Sequence, residues 1–354
     1  MKKRLIALLC VAAMALSLVA CGGSKEEAAT TEKAETTESS AKEESKESNQ
    51  LIIYSPLTES MIDSMISKFE EETGIDVECL AMGTGDALKR IQTEVDSPQA
   101  DVLWSGTIGT VKQNSEYFAE YVTPNEDAFY DDYKNVEGNL TRFDTVPSVI
   151  MVNTDLIGDI EINGYEDLLN PELKGKIAFA DPAASSSSFE HLVNMLYAMG
   201  GGNPENGWDY VTKLCEQLDG KLLSGSSAVY KGVADGEYVV GLTFEQGSAQ
   251  YVAAGSPVKT VYMEEGVIFR GDGVYIIKNC PNEANAQKFI DWLTTQEVQE
   301  FMNNTQFRRT IRNDVPAGDA MEPMENIKVI KDDEADTAAH KAEWLDQFKD
   351  IFTQ

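Results

Sequence analysis

The sequence predicts an α/β fold built from two lobes. Short β-rich runs alternate with amphipathic helical stretches, the pattern of parallel strands wrapped by helices. After a loop-rich stretch, the same alternation restarts near residue 176. The chain has 354 residues, and the part after residue 50 is long enough for two lobes, each with its own core.

The first alternation contains three strands and two helices. Residues 51–54, 75–80 and 101–104 are the β-rich runs. Apolar residues recur every three to four positions between residues 58 and 72, and again in a helix that opens at Thr84. The second alternation has strands at 176–180, 222–223, 238–243 and 258–262, with helices at 189–199, 208–218, 229–233 and 249–254. Further helices are expected at 282–293 and 296–302, and an amphipathic last helix at 335–352 is expected to pack on this body.

The first 20 residues have the form of a secretory signal, with a basic start followed by a short apolar run. The run ends Leu-Val-Ala before Cys21, and this spacing resembles the lipobox of bacterial lipoproteins. We expect a diacylglycerol on the Cys21 sulfur, and the alternative is an ordinary signal peptide with a chance cysteine. Residues 21–50 contain Ser, Thr, Ala, Glu and Lys but no large apolar residue, so we expect a disordered linker.

The net charge of -31 argues against nucleic acid and against electrostatic docking on anionic lipid. Solubility is the preferred explanation of this charge. Five cysteines are present; Cys10 would leave with the signal and Cys21 would carry the lipid. Cys79, Cys215 and Cys280 are far apart and lack metal-ligand spacing, so each is expected to be a small buried residue, with one disulfide as the alternative.

Small hydroxyl or glycine residues follow at least five strands at the point where a helix begins. In an open α/β sheet ligands bind beyond the carboxyl ends of the strands, where helix N-termini present free N–H groups and partial positive charge. We therefore expect a cleft suited to a phosphate or carboxylate. The alternative for each residue alone is an ordinary helix cap. The repetition in both halves favours the cleft, and the run Ser185–Ser188 favours it most, because one cap needs one serine.

Several further side chains have two interpretations. Glu245 either accepts a hydrogen bond from a ligand or interacts with the dipole of its own helix. Arg270 and Asp272 either close the cleft or belong to a solvated turn. Trp104 is more consistent with core packing than with stacking on a ligand. The arginines near residue 310 either reach the cleft or are solvated; they are Arg308, Arg309 and Arg312.

Phrases along the chain resemble the solute-binding proteins of ABC importers. They include Phe-Glu-Glu-Glu-Thr-Gly-Ile at 69–75, Ala-Asp-Val-Leu-Trp at 100–104 and Arg-Arg-Thr-Ile-Arg at 308–312. The similarity is greatest to the branch that binds ferric iron or organophosphates. It implies a type II periplasmic-binding-protein fold, with mixed sheets wrapped by helices and a ligand cleft at a two-strand hinge. The implied crossing strands lie at 145–152 and near 267–277. The first lobe would then comprise 51–152 plus 268–354, and the second lobe 153–267.

The resemblance also implies a ligand class. Ferric binders of this branch carry adjacent tyrosines just past the strand at 238–243, where this chain has Phe244 and Glu245. The organophosphate binders resemble the serine-rich pattern, and their glutamate near the same strand end looks like Glu245. We therefore expect a small phosphorylated organic anion such as a phosphonate or sugar phosphate. The expected ligand-binding residues are Ser55, Thr84, Gly85, Ser105, Gly106, Ser185, Ser186, Ser187, Ser188, Ser226, Glu245 and Arg270.

Ferric iron, thiamine and polyamines stay open as alternative ligands, because the acidic chain suits a cation. We expect no cofactor, no resident metal and no catalysis, since neither His191 nor His340 lies in a recognisable catalytic motif. The expected partners are a small molecule, an ABC permease and the membrane through the lipid anchor, for a protein that is a monomer. The expected location is the outer face of the cell membrane, or the periplasm if an outer membrane is present. A sensor that presents its ligand to a membrane receptor is the second functional alternative.

Overall fold

The structure, a computed structural model, describes residues 49–354. One sheet, here the first sheet, has five strands in the order β2-β1-β3-β10-β4. β1, β2 and β3 run parallel, and β10 is antiparallel to both β3 and β4. These strands are β1 (Gln50–Ser55), β2 (Asp76–Ala81), β3 (Val102–Thr107), β4 (Thr141–Thr145) and β10 (Gly271–Ile276).

Helices pack on the first sheet, and apolar side chains from the strands and the helices form the core between them. In the first of them, buried apolar residues recur every three to four positions, and the helix ends at Gly74, whose φ of 69° suits glycine. The ring of Phe289 packs edge-on against Phe69 and Trp104, with centroids 5.1 Å and 5.4 Å away. Trp104 is fully buried, so its predicted role in the core is confirmed. The helices are α1 (Glu59–Thr73), α2 (Thr84–Thr93), α3 (Ile108–Lys112), α8 (Glu283–Leu293) and α9 (Gln296–Thr305).

The second sheet has four strands in the order β6-β7-β5-β8. β5 is antiparallel to β7 and β8, whereas β6 and β7 are parallel. The strands are β5 (Ser148–Asn153), β6 (Ile177–Ala178), β7 (Val240–Phe244) and β8 (Val258–Val261). The helices around them are α4 (Ser186–Met199), α5 (Trp208–Gln217), α6 (Ser226–Ala234) and α7 (Glu245–Ala253).

The chain passes between the two sheets in adjacent segments. Val146 and Pro147 connect β4 to β5, and Phe269 and Arg270 connect β9 (Val267–Ile268) to β10. β9 pairs in parallel with β11 (Val329–Ile330), close to the C-terminal helix α10 (Glu334–Phe352). These two connections lie within the segments that the resemblance implied as crossing strands.

The C-terminal helix packs against the second sheet. Trp344 and Phe348 of α10 lie in the apolar core that contains Phe179 and Tyr197, and the Phe348 and Phe179 rings meet at 6.0 Å. From the sequence, residues 268–354 are expected in the first lobe, but α10 packs in the core of the second sheet. An amphipathic stripe shows that a helix packs on a body, but it does not show which body.

Two further findings concern the described part of the chain. Cys79, Cys215 and Cys280 are unpaired; Cys215 and Cys280 are buried as expected, whereas Cys79 is half-buried. Between residues 49 and 354, no helix combines the length and the apolar character needed to cross a membrane. The predicted signal, lipidated cysteine and linker lie outside the described residues, apart from the last two positions of the linker.

Candidate functional site

A cavity of about 240 Å³ lies at the crossing segments, with both sheets contributing to its walls. We call it the cleft. Four predicted binding residues line it: Ser186, Ser187, Ser226 and Arg270. The other lining residues are Val146, Ser148, Glu190, Phe244, Asp272 and Arg308. Eight of the ten lining residues are polar or charged, so a cavity of this size suits a small solute with polar groups.

The four serines at the start of α4 have separate roles. Ser185 is the helix cap, and its hydroxyl accepts a hydrogen bond from the N–H of Ser188 at 3.3 Å. Ser188 is buried, and its own hydroxyl donates to Ser185 Oγ at 3.2 Å. Ser186 and Ser187 lie between these two and open into the cleft. The run therefore combines an ordinary cap with two hydroxyls that a ligand can reach.

A second helix N-terminus faces the cleft at α6. Ser226 is its first residue, half-buried and lining the cavity. The cap position is Gly225, so no capping side chain accepts from the first-turn N–H groups. α4 has 14 residues and α6 has nine, so both carry partial positive charge at these ends. The second lobe thus presents hydroxyls and helix N-termini to the cleft.

Arg270 lies on the crossing segment and is ion-paired on two sides. Its Nε is 2.9 Å from Glu190 Oε2 of α4, and its Nη2 contacts Asp332, just beyond β11. The Arg270 side chain is 12 % exposed, so it can be reached from the cleft. A guanidinium in this position can donate to two oxygens of a phosphoryl or carboxylate group.

Arg308 belongs to the first lobe and shares two carboxylates. Its Nη1 is 3.2 Å from Asp144 Oδ2 and 3.4 Å from Asp272 Oδ2. Ser105 of β3 donates its hydroxyl to the same Asp272 oxygen at 3.2 Å. Ser105 has a φ of 86°, an unfavourable conformation for a residue other than glycine. Ser105 therefore acts on the cleft through Asp272, and the conformation that aims it there carries strain.

The other predicted residues of the first lobe do not line the cleft. Ser55 is fully buried, and its hydroxyl donates to the Trp104 carbonyl at 2.8 Å. Thr84 and Gly85 begin α2. Gly106 has a φ of 120°, and its carbonyl accepts the Tyr275 hydroxyl at 2.7 Å. These residues satisfy local backbone geometry, which the sequence pattern alone does not distinguish from ligand binding.

Glu245 differs most from its predicted role. It is 1 % exposed, and both carboxylate oxygens accept from the guanidinium of Arg309. Tyr262 also donates its hydroxyl to Glu245, at 2.5 Å. These contacts occupy the carboxylate, so in this structure Glu245 joins α7 to the segment after α9 and does not line the cleft. Arg312 is likewise occupied, by Asp314 and by the Thr294 carbonyl.

Burial controls the ionisation of two groups near the cleft. Asp144 is fully buried, which raises the pKa of its carboxyl to about 7, although Arg308 opposes the rise. Burial also raises the pKa of Glu190, against the effect of Arg270.

His191 lies away from the cleft; burial lowers its pKa to about 4, and its ring nitrogens bond Tyr165 and the Val149 carbonyl. His191 is therefore a neutral core residue at physiological pH.

Sequence reasoning missed these residues at the cleft: Asp144, Val146, Ser148, Glu190 and Phe244. Asp144 and Ser148 flank the crossing from β4 to β5, and Phe244 ends β7. An acidic residue inside a β-rich run was the available signal for Asp144. For Arg308 and Asp272 the sequence leaves a cleft position and a solvated position open, and both residues line the cleft. Within residues 49–354, no group of three or more His, Cys, Asp or Glu side chains is arranged to hold a metal ion.

Comparison with known proteins gives one family. The model for bacterial extracellular solute-binding proteins matches residues 64–335. Iron uptake protein A1 of Synechocystis sp. is 24 % identical over 285 residues, which cover 76 % of this chain and 78 % of that protein. Family members of this kind are transport proteins.

Solved structures share the fold. AfuA from Actinobacillus pleuropneumoniae, solved with fructose-6-phosphate, aligns with a TM-score of 0.72 at 22 % identity, covering 86 % of this chain and 98 % of that one. A protein described as a two-component system protein in signal transduction aligns with a TM-score of 0.67 at 28 % identity, covering 85 % and 99 %. The predicted type II periplasmic-binding-protein fold is confirmed. This chain belongs to the bacterial extracellular solute-binding proteins, which capture small molecules for ABC importers.

Proposed function

We propose that this protein captures a small phosphorylated organic anion, such as a phosphonate or sugar phosphate, for import. One observation carries the proposal. The N-termini of α4 and α6, with Ser186, Ser187 and Ser226, face Arg270 and Arg308 across one cavity. Hydroxyls, helix N–H groups and guanidinium groups are the donors that phosphoryl oxygens need.

The acidic surface does not exclude an anionic ligand. The whole chain carries a net charge of -31, but at physiological salt charges are screened beyond about 8 Å. Donors within the cleft therefore dominate the affinity. Among the residues that line the cleft, Glu190 and Asp272 offset the charges of Arg270 and Arg308. Asp332 and Asp144 add negative charge behind the two arginines, and the positive helix N-termini act in the opposite direction. Glu190 and Asp272 can also bind hydroxyls or an amine of the ligand.

A thermal-shift panel tests the ligand class. It contains aminoethylphosphonate, glucose 6-phosphate, fructose 6-phosphate, 3-phosphoglycerate, ferric citrate, thiamine and spermidine. A compound present at 100 times its Kd stabilises the protein by about 2.7 kcal/mol, enough to raise Tm by several degrees. We expect the largest rise with a phosphorylated compound. A rise with ferric citrate or a cation alone would reject the proposed ligand.

Matched variants test whether that ligand occupies the cleft. Arg308→Gln removes a guanidinium that lines the cavity, so we expect it to weaken binding at least tenfold. Lys331→Gln removes the same charge from an exposed residue, 72 % accessible, that is paired with Asp132. This control should bind as the unmodified protein does. Equal loss in both variants would mean that net charge, and not the cleft, sets the affinity.

A sensor function is the second candidate. The structure at 28 % identity is described as a signal-transduction protein, and it covers 85 % of this chain. Such a protein would present the closed form to a membrane receptor instead of a permease. Reconstituting the protein with candidate partners separates the two: an importer partner would show ligand-stimulated ATP hydrolysis, and a receptor kinase would show altered autophosphorylation.

We further propose that Cys21 carries a lipid that holds the protein on the outer face of the membrane. The support is the Leu-Val-Ala-Cys run after a basic and apolar start. Two or more acyl chains bind firmly, because each buried methylene contributes about 0.8 kcal/mol. Membership of an extracellular family is consistent with this location.

A further inference from the structure

Two carboxylates of the first lobe share one guanidinium at the edge of the cleft. Asp144 on β4 and Asp272 on β10 are directly opposed in the antiparallel pair. Arg308 Nη1 lies 3.2 Å from one and 3.4 Å from the other. Two like charges this close disfavour simultaneous ionisation, and a single arginine compensates only one of them.

Asp144 is the member of the pair that is shielded from water. It is 0 % exposed, and its Oδ1 makes no hydrogen bond to any of the described residues. Asp272, in contrast, lines the cleft, and its Oδ2 accepts from Ser105. An ionised carboxylate with one unpaired buried oxygen is costly, so the first proton to bind belongs on Asp144. Burial raises its pKa to about 7 in the ligand-free cleft.

An anion in the cleft acts on Asp144 in two ways. It adds negative charge beside Arg308, and it competes with Asp144 for the donors of that guanidinium. Both effects favour the protonated form of Asp144. The packed strands also carry Arg142 of β4, whose Nη1 donates to the Lys134 carbonyl at 3.2 Å. Tyr275 of β10 stays neutral because burial raises the pKa of its hydroxyl far above the usual range. Arg270 and Glu190 face the cavity from the crossing segment and α4 and form their own pair.

We propose, building on the capture of an anion proposed above, that Asp144 takes up one proton from solvent when the solute binds. The only covalent change is the new O–H bond on Asp144, and the charge of the bound anion is balanced in part by that proton. Asp144 thus acts through Arg308 without touching the ligand. The protein therefore binds anions with higher affinity in mildly acid solution. The affinity falls as pH rises through the range in which free Asp144 loses its proton.

The test uses glucose 6-phosphate and isothermal titration calorimetry at pH 6, 7 and 8. Asp144→Asn imitates the protonated acid, and Asp314→Asn removes an exposed carboxylate that is paired with Arg312, outside the cleft. The phosphate ester has an ionisation of its own near pH 6, but this is common to all three proteins, so the comparison cancels it. We expect the unmodified protein and D314N to lose about fivefold to tenfold more affinity between pH 6 and 8 than D144N does.

Two outcomes would overturn the proposal. One is an identical pH profile for D144N and the unmodified protein. The other comes from carbon-13 NMR of the aspartate carboxyls in the unmodified, ligand-free protein. In that experiment Asp144 should titrate near pH 7. A midpoint near 4 would show an ordinary carboxylate that stays ionised between pH 6 and 8, which contradicts the proposed titration of Asp144. Failure of every phosphorylated compound to bind rejects the proposed function instead, whatever the NMR midpoint.

Discussion

Glu245 of the second lobe and Arg309 of the first form a buried, bidentate ion pair. Arg309 Nε is 3.0 Å from Oε2, Arg309 Nη2 is 2.5 Å from Oε1, and both side chains are at most 2 % exposed. Tyr262 and the Glu322 carbonyl complete the hydrogen bonding. The carboxylate is therefore fully satisfied by the protein, and it joins the two lobes beside the cleft.

Removing one partner of this pair should destabilise the protein strongly. Glu245→Gln or Arg309→Met leaves a buried charge without its partner, which costs about 3–5 kcal/mol. The double variant E245Q/R309M should cost less than the sum of the two, because it leaves neither charge unpaired. Urea denaturation of the four proteins measures this cycle. Additive effects below about 1 kcal/mol each would contradict the assigned role.

The four serines at the start of α4 should separate into two pairs. Ser186→Ala with Ser187→Ala removes two hydroxyls from the cleft, so we expect weaker ligand binding at nearly unchanged stability. Ser185→Ala removes the cap that accepts from Ser188 N–H, so we expect a loss of about 1 kcal/mol of stability.

Calorimetric affinity and urea denaturation are measured on the same preparations of both serine variants. If the S186A/S187A protein lost stability and kept its affinity, the hydroxyls would be serving the helix and not the ligand.

Stability should depend on pH through Asp144. The unfolded carboxyl loses its proton near pH 4, and the folded one near pH 7. Between these values the folded state holds more protons, so the contribution of this group to stability falls as pH rises, by at most about 1.4 kcal/mol per pH unit.

Asp144→Asn lacks this titration. The stability of the unmodified protein, measured relative to D144N, should therefore decrease from pH 4.5 to 7 and be level above pH 8. A relative stability that stays level over that window would mean that Arg308 outweighs burial and that Asp144 is ionised throughout.

Cys21→Ser should release the protein from membranes. The thiol is the site to which the lipid would be attached, and without acyl chains an acidic protein has little affinity for anionic lipid. Fractionation of cells that produce the two forms measures this, with Cys79→Ser as the matched control. Equal membrane association of C21S and the unmodified protein would indicate a different anchor.

The strand-helix alternation made the fold predictable. Periodicity located α1, α2, α4 and the first three strands, and every end lies within three residues of its expected position. It succeeded because local apolar spacing determines which face is buried. The sequence predicted that the C-terminal segment is a helix but not which core it packs against, because the apolar pattern of α10 is compatible with either core. Long-range packing of Trp344 decides that question.

The cleft was predictable only where local structure places a residue at a helix start. Ser186, Ser187 and Ser226 fulfil that condition and line the cavity. Ser55 and Glu245 fulfil it equally well in sequence, yet the Trp104 carbonyl and the Arg309 guanidinium occupy them. Such partners are distant in sequence, so periodicity and spacing carry no information about them.

The most direct measurement is a crystal structure of the protein with the panel compound that gives the largest thermal shift. We expect a phosphoryl group within hydrogen-bonding distance of Ser186 or Ser187 and of Arg308 or Arg270. A compound bound outside the cleft, or a cation held there by Glu190 and Asp272, would contradict it.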